Sequence, residues 1–160
     1  MLRYFQEVHK LRLSTRGHYG LKAVFDLAQH YGAKPIPLKS VAERQHLSEN
    51  YLEQLMAMLR KAGLVKSVRG AQGGYILARE PGLIRVGDIV RVLEGPIAPV
   101  YCVSEEDQGC CDEADYCITR TVWARVRDGI AAVLDGISLA DLCSEAEEAG
   151  MCCKEVPKGE

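Results

Sequence analysis

Five residues, Gly70-Ala71-Gln72-Gly73-Gly74, separate two short runs rich in valine, isoleucine and tyrosine, Leu64–Arg69 and Tyr75–Arg79. Three glycines in a five-residue gap between strand-like runs suit a tight hairpin tip. Directly upstream lie two helical patterns. Leu38, Val41 and Ala42 open a short helix that runs to Gln45, and Leu47-Ser48 breaks it. Ser48 can then cap a helix over Glu49–Lys61, whose apolar face is Leu52, Leu55, Met56 and Leu59, closed by Gly63. Two helices joined by a three-residue turn form a helix-turn-helix, and a hairpin immediately after it makes a winged helix. An earlier helix completes the unit. Ser14 and Thr15 offer capping oxygens, Leu21, Val24, Phe25, Ala28 and Tyr31 keep helical spacing, and Gly32 can stop it. The expected fold class is mainly α with a small β-hairpin.

Pro81-Gly82 interrupts the chain, and a short amphipathic helix follows over Val86–Leu93, ended by Gly95-Pro96. Ile97 to Tyr116 shows no regular period and holds six acids: Glu105, Glu106, Asp107, Asp112, Glu113 and Asp115. Helical spacing returns in Ile118, Val122, Val126, Ile130 and Val133 or Leu134, with Trp123 alongside. A helix over Ile118–Leu134 would be about 25 Å long. An apolar face of that length, placed after a complete small domain, needs a partner surface, and a second copy of the chain is the natural supplier. Gly136 ends this helix, and Ser138-Leu139-Ala140-Asp141 reads as a capping box for a final short one. The expected organisation is an extension (1–11), a winged helix-turn-helix (12–95), a cysteine-rich sensor loop (96–117), a dimerisation helix with a C-terminal helix (118–149) and a mobile tail (150–160).

The net charge of −2 hides an asymmetry: residues 1–80 carry 13 Lys and Arg against 6 Asp and Glu, and residues 81–160 carry 7 against 16. A basic first half points to an anionic partner for that half alone. DNA binding needs charges that neutralise phosphate and side chains that reach base edges. The third helix offers Asn50, Glu53, Gln54 and Arg60 away from its apolar stripe. Gln can bond adenine through two atoms, and Glu can accept from a cytosine amino group. Arg69 sits beside the wing glycines, and Arg12, Arg16 and Lys22 lie near the first helix, where phosphate contacts fit. An apolar content of 48% excludes wholesale disorder. No apolar run approaches a bilayer span, and Met1–Lys10 has no signal-peptide pattern, so a cytoplasmic protein without a membrane partner is expected.

Three stretches carry a resemblance: Leu47 to Leu55, Leu59 to Val65, and Ser67 to Tyr75. Together they are similar to the signature of the IscR/CymR-type regulators, the Rrf2 family. Leu13 to Gly20, Val86 to Val90 and Leu93 to Pro96 extend the likeness, which covers about Arg12 to Ser138. It implies a homodimeric winged-helix transcription factor, usually a repressor, that is not an enzyme and binds a pseudo-palindromic DNA operator. The candidate DNA-contacting set is then Arg16, Ser48, Asn50, Tyr51, Glu53, Gln54, Arg60, Arg69, Gly70, Gln72, Gly73 and Tyr75.

All seven cysteines lie beyond residue 101, at 102, 110, 111, 117, 143, 152 and 153. A disulfide framework would staple the whole fold, and here the basic half has nothing to staple. Local metal or redox chemistry is the better expectation. The resemblance implies three cysteine ligands before the long helix, commonly with five residues between neighbours. Cys111 and Cys117 keep that interval, while eight residues separate Cys102 from Cys111. Cys110 is an alternative middle ligand. Such a set would hold an iron–sulfur cluster, [2Fe-2S] or [4Fe-4S], and three thiolates with one odd donor leave one iron labile enough to sense oxidants. Iron–sulfur members can place a histidine three residues after the third cysteine, and Arg120 stands there in this chain. Others take an acid from the first helix of the partner subunit, and the matching position is His18. The loop acids are local alternatives, and His18 could equally be a surface or phosphate-contacting residue. Zinc is a competing metal. The cluster-free alternative is a cysteine-metabolism repressor controlled by a protein partner, a cysteine-synthesis enzyme. A thiol redox protein ranks last, because no Cys-x-x-Cys occurs.

Overall fold

The structure is a computed structural model that describes residues 14–104 and 116–151. Helix α1 spans Thr15–Gln29, and its N-cap Ser14 accepts from the Arg16 amide through its hydroxyl. Helices α2 (Leu38–Gln45) and α3 (Glu49–Lys61) follow, the latter with the expected bounds. The turn between them places His46 in the left-handed region at φ 54°, a conformation that histidine tolerates better than most side chains. Strands β1 (Val65–Val68) and β2 (Gly74–Leu77) pair antiparallel in the register Val65 with Leu77 and Val68 with Gly74.

The hairpin differs from the sequence expectation at both ends. Arg69 lies outside β1, and Gly74 joins β2 because the wing has a third member. Ile36 pairs with Tyr75 through two backbone hydrogen bonds of 3.0 and 2.8 Å. A Cβ on Gly74 would collide with the Ile36 carbonyl, so only glycine lets these backbones meet.

The core is shared by four helices of the winged helix. Val24 from α1, Val41 from α2, and Leu52, Met56 and Leu59 from α3 are wholly buried, as is Ile89 of α4 (Val86–Glu94). Each such side chain contributes roughly 1.5–3 kcal/mol on leaving water. Polar groups fix the helix angles. Asp26 of α1, fully buried, accepts from Arg44 Nε at 2.9 Å and Nη2 at 2.6 Å and from Gln45 Nε2 at 3.1 Å. Glu94, at the end of α4, accepts from the amides of Ser14 and Gly17 at 3.1 and 2.7 Å. A carboxylate at a helix N-terminus meets the positive end of the helix dipole.

A 3₁₀ turn, Tyr101–Val103, precedes the long helix α5 (Ile118–Gly136), which extends two residues past the expected Leu134. Helix α6 (Leu139–Glu148) begins at the expected capping box, with Ser138 and Asp141 bonded reciprocally. It turns back onto α1, carrying Leu139 into the winged-helix core. Two backbone bonds close this return, Val86 to Ile137 at 2.9 Å and Leu139 to Ile84 at 3.0 Å.

Candidate nucleic-acid interface and cysteine junction

Helix α3 begins where Ser48 accepts from the Tyr51 amide at 3.2 Å. Its apolar stripe is spent on the core, which turns Asn50, Glu53, Gln54 and Arg60 outward. All four are exposed, as is Ser48. Arg60 donates to the Ser67 hydroxyl at 3.3 Å and so links α3 to the wing. At the wing tip Arg69, Gly70 and Gln72 are exposed, and Gly70 takes a φ of +118° that a side chain would resist. Arg16, Lys22 and Lys66 add exposed positive charge. Three members of the expected set sit differently. Tyr51 is half-buried, with its ring edge-on to Tyr19 at 6.2 Å. Gly73 and Tyr75 are also half-buried, Tyr75 through its pairing with Ile36. Arg12 lies outside the described residues.

The second candidate site lies where the 3₁₀ turn meets the head of α5. Arg120 Nε donates to the Cys102 carbonyl at 3.2 Å, and Arg127 Nη1 to the Val103 carbonyl at 2.8 Å. Cys117 is the N-cap residue of α5, and its sulfur lies 3.1 Å from the Thr119 hydroxyl. Cys102 and Cys117 are both half-buried. An open cleft of about 520 Å³ runs along this junction, lined by Val103, Cys117, Arg120 and Arg127 among others. Cys110, Cys111, Cys152, Cys153 and the six loop acids lie outside the described residues. Among the described residues no three His, Cys, Asp or Glu side chains gather in one place within the chain. His18 is exposed on α1, its ring 5.3 Å from that of Tyr19. Cys143 lies on α6, half-buried against the core.

Sequence reasoning does not find the contacts that join these sites. Arg91 of α4 grips Asp135 of α5 through two hydrogen bonds of 2.6 and 2.8 Å, and these hold the Asp135 carboxyl below its ordinary range. The Ser138 hydroxyl does the same for Asp141. Arg91 and Asp135 had no signal in the sequence beyond opposite charge, whereas Ser138 and Asp141 form the capping box already expected.

A helix-turn-helix with an exposed polar reading face and a basic wing defines a winged-helix DNA-binding regulator. The sequence profile described as Rrf2, iron-dependent transcriptional regulator, matches residues 13–145, and the chain belongs to that family. It is 48% identical over 134 residues to the HTH-type transcriptional regulator CymR of Bacillus subtilis (strain 168), covering 84% of this chain and 91% of that one. It is 37% identical over 137 residues to the HTH-type transcriptional regulator IscR of Citrobacter koseri, covering 86% and 82%. The solved structure of T. potens IscR is 58% identical, with a TM-score of 0.73 over 90% of this chain and 94% of that one. The protein is a transcriptional regulator of a family that is not enzymatic. No helix among the described residues is long and apolar enough to cross a membrane.

Proposed function

We propose that the chain is a cytoplasmic homodimeric repressor whose DNA affinity is set by an iron–sulfur cluster at the turn–helix junction. Its ligands are Cys102, Cys117 and one of Cys110 or Cys111, with His18 contributed across the dimer. The observation that carries this reading is that Cys102 and Cys117 are each tied to the head of α5. Cys102 is bound through Arg120, and Cys117 is the residue that caps the helix. Thiol donors fit iron–sulfur chemistry, and the Arg120 and Arg127 side chains line the same cleft as Cys117, where positive charge offsets what thiolates bring. A bound cluster would supply a ligand bond that oxidants can break.

The chain's own residues do the rest. Gln54, Asn50 and Glu53 face a major groove, Arg60 holds the wing to α3, and Arg69 reaches backbone or minor groove. The exposed apolar side chains of α5, Ile118, Val122 and Val133, meet a second copy. Arg91–Asp135 then fixes each winged helix to the dimer core, so a shift at the head of α5 alters the spacing of the two α3 helices.

Anaerobic reconstitution with ferrous iron and sulfide tests the reading, followed by visible absorbance, iron content and gel shift. Wild type should turn brown, and Cys102→Ala and Cys117→Ala should stay colourless, while Cys143→Ala should load normally. A fully loaded Cys117→Ala protein would end the junction model. The similarity to CymR supports a second reading, in which the regulator carries no cluster and answers to a protein partner. A colourless wild type that still binds its operator would favour it.

A further inference from the structure

The 3₁₀ turn closes its own hydrogen bonds on the carbonyls of Val100 and Tyr101, which accept from Val103 and Ser104 at 3.3 and 3.0 Å. The next two carbonyls, those of Cys102 and Val103, are taken by α5. Arg120 and Arg127 stand seven residues apart, two helical turns, and so project from one face of the helix. Each donates to one of these consecutive carbonyls, at 3.2 and 2.8 Å. Val103 is 2% exposed beneath them, and Ser104 is also buried. A guanidinium donates in fixed, planar directions, so a pair of them sets the turn's position more tightly than apolar contact would. Cys117 belongs to the same helix as its N-cap. Both thiols are therefore referenced to a single rigid element.

We propose that Arg120, assisted by Arg127, is a positioning residue that holds the Cys102 turn against α5, the helix that Cys117 caps, in the metal-free chain. This deepens the cluster reading and rests on it for the identity of the ligand. Arg120 bonds the Cys102 carbonyl yet cannot itself bind iron, since its guanidinium stays protonated. Its work is done beforehand: the turn is ordered at folding, so ligation does not have to immobilise it. Loss of the clamp leaves the sulfur atoms chemically intact and their spacing loose.

The test uses the full chain, reduced and metal-free, and reads iodoacetamide alkylation of each cysteine by peptide mapping. Arg120→Ala should speed alkylation of Cys102 by roughly five-fold, the change in open population that one lost net hydrogen bond produces. Cys143, remote on α6, serves as the internal reference and should not change. Arg127→Ala should have the same effect at smaller size, and Arg120→Lys should recover part of the protection. In parallel, Arg120→Ala should reconstitute more slowly and show a broadened electron paramagnetic resonance signal after reduction, with unchanged circular dichroism. Equal Cys102 rates in wild type, Arg120→Ala and Arg127→Ala would overturn the assignment. If wild type takes up no iron, the cluster reading fails by itself, and the alkylation rates still decide whether Arg120 orders the turn. Should Arg120→Ala misfold, the Arg127→Ala and Arg120→Lys rates carry the same decision.

Discussion

In the winged helix, Val24, Val41, Leu52, Met56 and Leu59 lose all contact with solvent, whereas α5, 19 residues long, has no buried residue. The first region fills its core with its own side chains and with Leu139, returned to it by α6. The second is tied to the first by Arg91 on Asp135, and to the 3₁₀ turn by Arg120 on Cys102 and Arg127 on Val103. Ile118 stays 80% exposed and Val133 61%, and these are the side chains that a helix in water would be expected to hide. A well-packed DNA reader, joined by directional polar bonds to a helix that is not, is an arrangement suited to regulation. The reader keeps its shape while its placement relative to a second reader can change.

The strongest way to break this contrast is to spoil the exposed face of α5. Val122→Asp puts a carboxylate into the proposed seam, and two-fold symmetry puts it there twice. An uncompensated buried charge costs roughly 3–5 kcal/mol. Analytical ultracentrifugation should find a monomer at concentrations where wild type is a dimer, with the helical circular dichroism retained. A dimer of unchanged affinity would place the interface elsewhere. The opposite region should respond in stability rather than assembly. Leu52→Ala removes a fully buried side chain from α3 and should lower unfolding free energy by about 2–5 kcal/mol, read from urea midpoints. A loss much below that range would mean the core can collapse around the gap.

The two regions also differed in how far their sequence could be read. The α3 bounds, the capping serines Ser14, Ser48 and Ser138, and the apolar face of α5 were legible, because each depends on residues within a turn or two of one another. Arg44 on Asp26, Ile36 on Tyr75 and the return of Leu139 to the core were not, since they join positions that only the topology brings together. The junction was half legible. Cysteine spacing drew attention to Cys102 and Cys117, but a side chain donating to the Cys102 backbone leaves no trace in composition or period. Arg120 read simply as a residue unable to ligate, and the structure gives it a bond of its own.

Specific recognition should separate the reading face from the phosphate-facing charges. Gln54 is exposed on α3 with no role in the core. Gln54→Ala should cost about 1–3 kcal/mol at the cognate operator and little on random DNA, because one bidentate base contact is lost. Fluorescence anisotropy against both duplexes gives the comparison. Equal losses on the two would assign Gln54 to phosphate and move the base-reading role to Asn50 or Glu53.

The weakest expected effect lies at the joint between the regions, and its sign follows from the carboxylate. Asp135 accepts two hydrogen bonds from Arg91, which hold its pKa below the ordinary value of 3.8. Just below that value the unfolded chain takes up more protons than the folded one, so stability must fall as the pH falls. The contribution is therefore complete above pH 3.8 and disappears as the pH drops through the folded value. Both side chains are about two-fifths exposed, at 40% and 44%, so solvent screening keeps the pair's worth under about 1 kcal/mol. The stability gap between wild type and Asp135→Asn, taken from urea midpoints, should be small and steady at neutral pH, narrow in molar salt, and close below pH 3.8. Subtracting one protein from the other removes every other carboxylate from the comparison. A gap that ignored both acid and salt would mean that the joint is held by shape. Asp135 also packs where a Cβ on Gly87 would collide with it, which gives such a steric role a definite place. In that case Gly87→Ala should reproduce the Asp135→Asn defect at every pH, while the bonds of Arg120 and Arg127 to the 3₁₀ turn stay as they are.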